Sequence, residues 1–193
     1  MLQVYTGDGK GKTTAALGAA VRAAASGGRV AIVYFDKGGT HYSERRFLEA
    51  VKGGPFLSAV YGSYKPPKPT GRVDYVATGL DRIDPTTGRF RFGVTLADKR
   101  EARRGLAAAK KFLTNKKYNL IILDELNTTV SLGMLPLRSA LALLRSRPKD
   151  IEVIVTGRRA PDEILNEADL VTEMKLVKHY FYKGIRAREG IDF

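Results

Sequence analysis

Thr6-Gly7-Asp8-Gly9-Lys10-Gly11-Lys12-Thr13-Thr14 stands between an apolar run, Leu2 to Thr6, and an Ala-rich stretch, Thr13 to Ser26, that ends at Gly27-Gly28. The run reads as a strand and the stretch as a helix closed by glycine. Between them, alternating glycines let backbone N–H groups curl around phosphate oxygens, and the helix start adds its positive end. Lys12 supplies a point charge, and the Thr13 hydroxyl suits Mg²⁺. The usual spacing G-x-x-x-x-G-K-[ST] puts its first glycine at position 6. Thr6 stands there with Gly7 beside it, so the motif is a variant P-loop. A Gly-Lys-Thr triplet alone is most often a turn; in a strand–loop–helix setting with three alternating glycines, phosphate binding is the better explanation.

Outward from this loop, Arg29 to Phe35 reads as a second strand and completes a βαβ unit, which implies a parallel sheet covered on both faces. The pattern continues with a helix from about Leu96 to Leu113, a strand Asn119 to Leu123, a helix opening near Pro136 and stopped by Pro148, and strands Ile151 to Thr156 and Leu170 to Lys175. Leu137, Ala140, Leu141 and Leu144 recur at helical spacing and read as core. A further helix is expected at Pro161. The middle is less regular. Gly62 to Gly71, with Lys65-Pro66-Pro67-Lys68-Pro69, reads as an exposed loop. Leu80 to Ile83 and Arg89-Phe90-Arg91-Phe92, flanking Asp84-Pro85-Thr86-Thr87-Gly88, read as a hairpin projecting from the sheet. The expected organisation is one α/β domain over 1–193, with a loop and hairpin insertion at about 62–95.

Two further clusters bear on chemistry. Leu120-Ile121-Ile122-Leu123-Asp124-Glu125 is a buried-looking strand ending in two acids, either of which can reach Mg²⁺ directly or through water. Alone, such a pair is usually a surface turn or helix cap; beside a P-loop, the metal site is favoured. Thr156-Gly157-Arg158-Arg159 offers a cation, preferably Arg158, at the sheet edge where α/β proteins place ligands.

Composition bounds the rest. Thirty-three Lys and Arg against 20 Asp and Glu give a formal charge of +13, which favours anionic partners. With no cysteine there is no disulfide, thiolate metal site or Cys nucleophile. No apolar run approaches the roughly 18 residues that span a bilayer, and the chain reads as soluble and cytoplasmic, with no membrane partner.

The P-loop, together with Phe35-Asp36-Lys37-Gly38, Ala77-Thr78-Gly79, Leu123-Asp124-Glu125-Leu126, Thr156-Gly157-Arg158 and the tail Glu173 to Phe193, resembles the ATP:corrinoid adenosyltransferase family. Val177-Lys178-His179, Gly184-Ile185-Arg186-Ala187 and Gly190-Ile191 are the most specific blocks, because ordinary P-loop ATPases have no reason to end this way. The resemblance implies a RecA-like parallel α/β fold, a homodimer, and attack of a reduced Co(I) corrinoid on the 5′ carbon of ATP with expulsion of triphosphate. It implies that ATP lies along Gly7, Asp8, Gly9, Lys10, Gly11, Lys12, Thr13 and Thr14, with Lys12 and Arg158 on phosphates. Thr13 and Asp124 or Glu125 would hold Mg²⁺, while Lys37, Glu44 and His179 occupy matching motif positions. A reducing flavoprotein is the implied partner.

The chain also departs from the family. Asp8 replaces a common Asn. Leu80 and Arg82 stand where relatives carry the Phe and Trp that help strip the lower ligand from cobalt, and there is no Trp. Tyr180, Tyr182 and Lys183 replace commoner residues in the tail. Phe90 or Phe92 is expected to replace the missing aromatics. The competing function is a nucleic-acid-binding RecA-like ATPase, suggested by the charge, the Arg89 to Phe92 strand and the basic aromatic tail; nucleic acid is the less favoured partner. A third reading is a nucleotide-binding regulatory module without chemistry.

Overall fold

Residues 1–50, 71–83, 86–87 and 89–193 are described by a computed structural model. Six strands form one parallel sheet: β1 (Leu2–Thr6), β2 (Arg29–Tyr34), β3 (Arg72–Ala77), β4 (Leu120–Asp124), β5 (Glu152–Thr156) and β6 (Leu170–Glu173), in the order β3-β2-β4-β5-β1-β6. The fold is the α/β, RecA-like P-loop arrangement expected from the sequence, with all six strands parallel. β5 lies between β1 and β4. The end of β4 is therefore two strand spacings, about 10 Å, from the P-loop strand.

The helices that cover the sheet are α1 (Lys12–Ala25), α2 (Ser43–Ala50), α3 (Leu96–Thr114), α4 (Leu126–Ser131), α5 (Leu137–Arg145) and α6 (Asp162–Asn166). α1 packs through Ala16, Ala20 and Ala24, all buried at a spacing of four. These small side chains let the helix sit close against Val30, Ile32, Ile122 and Ile154 of the sheet, so a larger residue there would overpack by about 1–3 kcal/mol. The opposite face carries α3, α4 and α5 over Ala31, Val33, Phe35, Ile121 and Leu123. Central strands buried on both faces explain their unbroken apolar runs, which show no alternation. Leu137, Ala140, Leu141 and Leu144 all join this second layer, as the helical spacing required.

Element ends shift by one or two residues from the sequence reading, except that α5 stops at Arg145, before Pro148. Among the described residues, three α-helical or strand elements escaped it, as did the 3-10 turn at Tyr180–Lys183. α2 is short and highly charged, α4 has only six residues, and β3 mixes charged with apolar side chains because it is an edge strand. β3 also changes the meaning of the stretch read as an insertion at about 62–95, since residues 72–77 pair along the whole of β2. Residues 62–70 of the expected proline loop lie outside the described residues, as do 84, 85 and 88 of the expected turn. What is described of the hairpin is one antiparallel bridge, Ile83 with Phe90, and a 2.7 Å bond donated by the Arg91 N–H to the Arg82 carbonyl. Among the described residues no helix is long and apolar enough to cross a membrane.

Candidate active site

The C-terminal ends of β1, β2, β4 and β5 open into a cleft of about 570 Å³. Gly9, Lys10, Gly11, Lys12, Thr13 and Thr14 line it together with Lys37, Glu44, Glu125, Arg158 and His179. Residues that lie up to about 180 positions apart in sequence are thus brought to one place. Of the remaining sequence candidates, Gly7 turns the chain out of β1, Asp124 is buried beneath the cleft floor, and Asp8 is exposed and outside the lining.

Gly7 and Gly9 are required by a neighbour as well as by any phosphate. Gly7 has φ 90°, and a Cβ on it would come within 2.5 Å of the Met174 carbonyl oxygen. A Cβ on Gly9 would come within 2.6 Å of the same oxygen, which accepts a 2.6 Å bond from the Gly9 N–H. The chain leaving β6 therefore presses directly on the P-loop, and only glycine permits this approach. The Lys12 ammonium is buried and donates to the carbonyls of Gly7 and Gly9, both at 2.7 Å. Its pKa is lowered, first by burial and then by the Arg158 charge, although Glu125, Asp8 and Asp124 oppose this. A desolvated ammonium resting on two neutral carbonyls is available to a phosphate, which would pair its charge fully.

The acidic side of the site is built where β4 ends. Asp124 is fully buried and accepts a 2.6 Å bond at Oδ1 from the Thr156 hydroxyl. That hydroxyl accepts in turn from the Glu125 N–H at 3.0 Å, so β5 fixes both acids. Asp124 Oδ2 meets the Lys37 ammonium in an ion pair at 2.7 Å. Glu125 adopts φ 60°, a left-handed conformation that costs a non-glycine residue free energy and turns its carboxylate toward the cleft. It accepts a short hydrogen bond from the Thr128 hydroxyl. Burial, and next the Asp124 charge, raise the Glu125 pKa, while Lys37 and Lys12 hold it down.

Lys37 follows β2 and reaches across to Thr13, donating to its hydroxyl at 3.0 Å. Burial alone would lower its pKa, but Asp124, Glu125 and Glu44 together leave it raised, and the ammonium stays charged. Tyr34 and Tyr42 present ring faces to it at 5.7 and 5.4 Å, and Arg45 lies over the same two rings at 5.4 and 4.5 Å. Sequence reasoning missed Tyr34, Tyr42 and Arg45. The missed signal was helix α2, which carries Glu44 and Arg45 into the site.

The tail closes the remaining wall. His179 caps the short 3-10 turn Tyr180–Lys183, its Nδ1 accepting from the Phe181 N–H at 3.1 Å. Lys10 points away from the loop it belongs to. Its ammonium pairs closely with Asp192 and donates to the Ile191 carbonyl at 2.7 Å and the Tyr180 hydroxyl at 3.1 Å. The Lys10 hydrogen bond, followed by that of Tyr180, keeps the Asp192 carboxyl well below the usual carboxylate range.

Arg82 is buried beyond the other flank of Lys37. It ties to Asp36 through Nε at 3.0 Å and Nη2 at 2.8 Å, and donates to the Gly93 carbonyl at 2.8 Å. Asp98 sits 3.8 Å from it, grips Arg91 through two bonds of 2.7 and 3.1 Å, and forms the capping box of α3 with Thr95. Arg82 is therefore an internal strut. Phe90 and Phe92 are 51% and 84% exposed, with ring centroids 5.0 Å apart.

The family model described as ATP:corrinoid adenosyltransferase BtuR/CobO/CobP matches residues 1–193. Among curated relatives, the corrinoid adenosyltransferase of Escherichia coli (strain K12) is 36% identical over 191 residues, covering 98% of this chain and 84% of the relative. That of Pseudomonas aeruginosa is 34% identical over 193 residues, covering 100% and 83%. The corrinoid adenosyltransferase CobA of Salmonella typhimurium is 35% identical over 191 residues, covering 98% and 84%. With a P-loop, an acid-tipped β4 and the tail assembled around one cleft, and with similarity along the whole length, this chain belongs to the ATP:corrinoid adenosyltransferase family.

Proposed function

We propose that the chain transfers the 5′-deoxyadenosyl group of ATP to the cobalt of a Co(I) corrinoid, with the triphosphate held by Gly7 to Thr14. The observation that carries this reading is the shared cleft, in which the P-loop and the tail line one space, within a chain that the family model matches from end to end. Cobalt donates its electron pair to C5′, the C5′–O bond breaks, and that bonding pair leaves on the triphosphate. Little proton chemistry is asked of the protein. Its work is to orient two substrates and to stabilise negative charge on the departing oxygen.

Lys12 would leave the Gly7 and Gly9 carbonyls for a phosphate oxygen, and Arg158, exposed at the cleft rim, would meet the outer phosphates. Asp8, outside the cleft lining, would act at the entrance only; Lys10 and His179 would act by holding the tail in place. Glu44, in the first turn of α2, lines the cleft near Lys37 and would face the nucleoside side.

The Thr13 hydroxyl, Asp124 and Glu125 form a hard oxygen donor set that fits Mg²⁺, and no group of three or more acidic, His or Cys ligands exists among the described residues. That poverty suits an ion whose other ligands are water and phosphate oxygens. When bound there, Mg²⁺ would neutralise triphosphate charge. Phe90 and Phe92 would give the corrin an apolar surface where relatives use Phe and Trp, because Arg82 is committed to Asp36 and Gly93. We further infer a cytoplasmic homodimer supplied with electrons by a reducing flavoprotein; membership of the family supports these assignments, and the +13 charge suits an acidic protein partner. The family match does not favour the nucleic-acid-binding ATPase.

The test is product stoichiometry. With chemically reduced cobalamin, ATP and Mg²⁺ under anaerobic conditions, chromatography should find intact triphosphate in step with the cobalt–carbon spectrum, and little ADP without corrinoid. Stoichiometric ADP and no cobalt–carbon product would hand the site to phosphoryl transfer.

A further inference from the structure

Lys37 places a cation at the point where Thr13 and Asp124 face each other. Its Nζ lies 3.0 Å from Thr13 Oγ and 2.7 Å from Asp124 Oδ2. Asp124 Oδ1 is already engaged by the Thr156 hydroxyl, so Oδ2 is the oxygen left for a metal, and the ammonium has it. The lysine is not a surface side chain that happens to fall there. Its side chain is 12% exposed, its N–H donates to the Thr78 carbonyl at 2.9 Å, its carbonyl accepts from Arg45, and two tyrosine faces flank the ammonium.

We propose that Lys37 is a positioning residue whose ammonium holds the cation position between Thr13 and Asp124 against a divalent ion arriving alone, so that such an ion enters only together with ATP. This rests on the reading of Thr13 and Asp124 as metal-holding residues. The physical argument is one of charge and donors. A divalent ion arriving alone would have to displace a desolvated ammonium from a buried carboxylate and would find few protein oxygens in return. A metal–ATP complex brings its own phosphate donors, and the triphosphate offers the displaced ammonium a new counter-anion within the same cleft. Lys37 thus links metal entry to nucleotide entry, and afterwards adds a third cation, beside Lys12 and Arg158, to those facing the leaving group.

Mn²⁺ serves as the probe, read by water-proton relaxation enhancement, which rises when the ion is held by the protein. Wild type should bind Mn²⁺ alone weakly and show strong enhancement once ATP is added. Lys37→Met should bind Mn²⁺ alone at least tenfold more tightly than wild type, and Lys37→Arg, which keeps a cation, should restore the exclusion. Asp124→Asn should lose enhancement with Mn²⁺ and ATP together. If wild type binds Mn²⁺ alone as tightly as with ATP, the proposal fails without recourse to any variant. It fails too if Lys37→Met gains no affinity while Asp124→Asn still loses enhancement, which leaves the metal site standing. Unchanged enhancement in Asp124→Asn would overturn the metal assignment itself, and Lys37's role with it.

Discussion

The glycine-rich cradle after β1 and the loop cluster after β2 and β3 stand at the same edge of one sheet, yet they are built by different means. The cradle is made of backbone. Its shape comes from glycines within nine consecutive residues, and Lys12 closes it on carbonyls three and five residues away. The cluster is made of charged side chains drawn from distant segments: Asp36 meets Arg82 across 46 positions, and Lys37 meets Thr13 across 24. A backbone device tolerates few changes at its glycines because the chain leaving β6 crosses it at contact distance. An ion-pair cluster can be rewired. Here Arg82 is an internal strut, and the exposed aromatics stand on the neighbouring hairpin.

That contrast predicts different failures on the two sides. The largest effect belongs to the cradle: Lys12→Ala should lower adenosyl transfer by about 10²–10³-fold, the scale seen when one preorganised charge-stabilising donor is removed. Its thermal midpoint should move far less than that of an Asp98 variant. Spectrophotometric assay of the cobalt–carbon product together with a melting curve checks both halves, and wild-type turnover would break the P-loop assignment.

On the cluster side the expected loss is in stability. Asp98→Ala removes the α3 capping box, the two-pronged Arg91 bond and a neighbour of buried Arg82, and should cost about 2–4 kcal/mol in denaturant unfolding. The Arg91 hydrogen bond, and after it those of Thr95, hold the Asp98 carboxyl well below the usual carboxylate range despite its burial. Its folded pKa is thus depressed, so this stabilisation is present above the unfolded value of about 3.9 and disappears as pH falls through the folded value. Asp98→Asn should flatten the dependence of stability on pH below about 4. An unchanged acid limb would show that the carboxylate contributes nothing.

The smallest effect sharpens the role of the hairpin. Because Phe90 and Phe92 are exposed and meet each other edge to face, Phe90→Ala or Phe92→Ala should change stability by less than about 1 kcal/mol. Either should nonetheless alter the spectrum of bound Co(II) cobalamin if the rings face the corrin. A clear drop in melting temperature with an unaltered spectrum would reduce the pair to packing.

How far the sequence reached depended on the range of the forces involved. The P-loop, the buried runs of β2, β4 and β5, and the apolar spacing of α5 were legible because glycine geometry and hydrophobic periodicity act within a few residues. The acids at 124 and 125 were legible as a pair, but their difference was not. Thr156 pins Asp124 beneath the cleft, and the backbone turn at Glu125 sends the next carboxylate into it. Local signals also missed β3, whose strand character comes from pairing with β2, and α2, whose short charged sequence is a helix because Leu48 finds the core.

The amino-acid sequence by itself determined a parallel α/β sheet, a glycine-rich P-loop, an acid-tipped strand and a tail that carries the family resemblance, because each is encoded in contiguous residues. Only the tertiary structure decided where the cations go. Lys10, in the heart of the P-loop motif, reaches to Asp192 and secures the tail, while Lys37, from a different loop, takes the position between Thr13 and Asp124. A flexible charged side chain goes where an opposite charge is desolvated and within reach, and that depends on the packing of segments far apart in the chain.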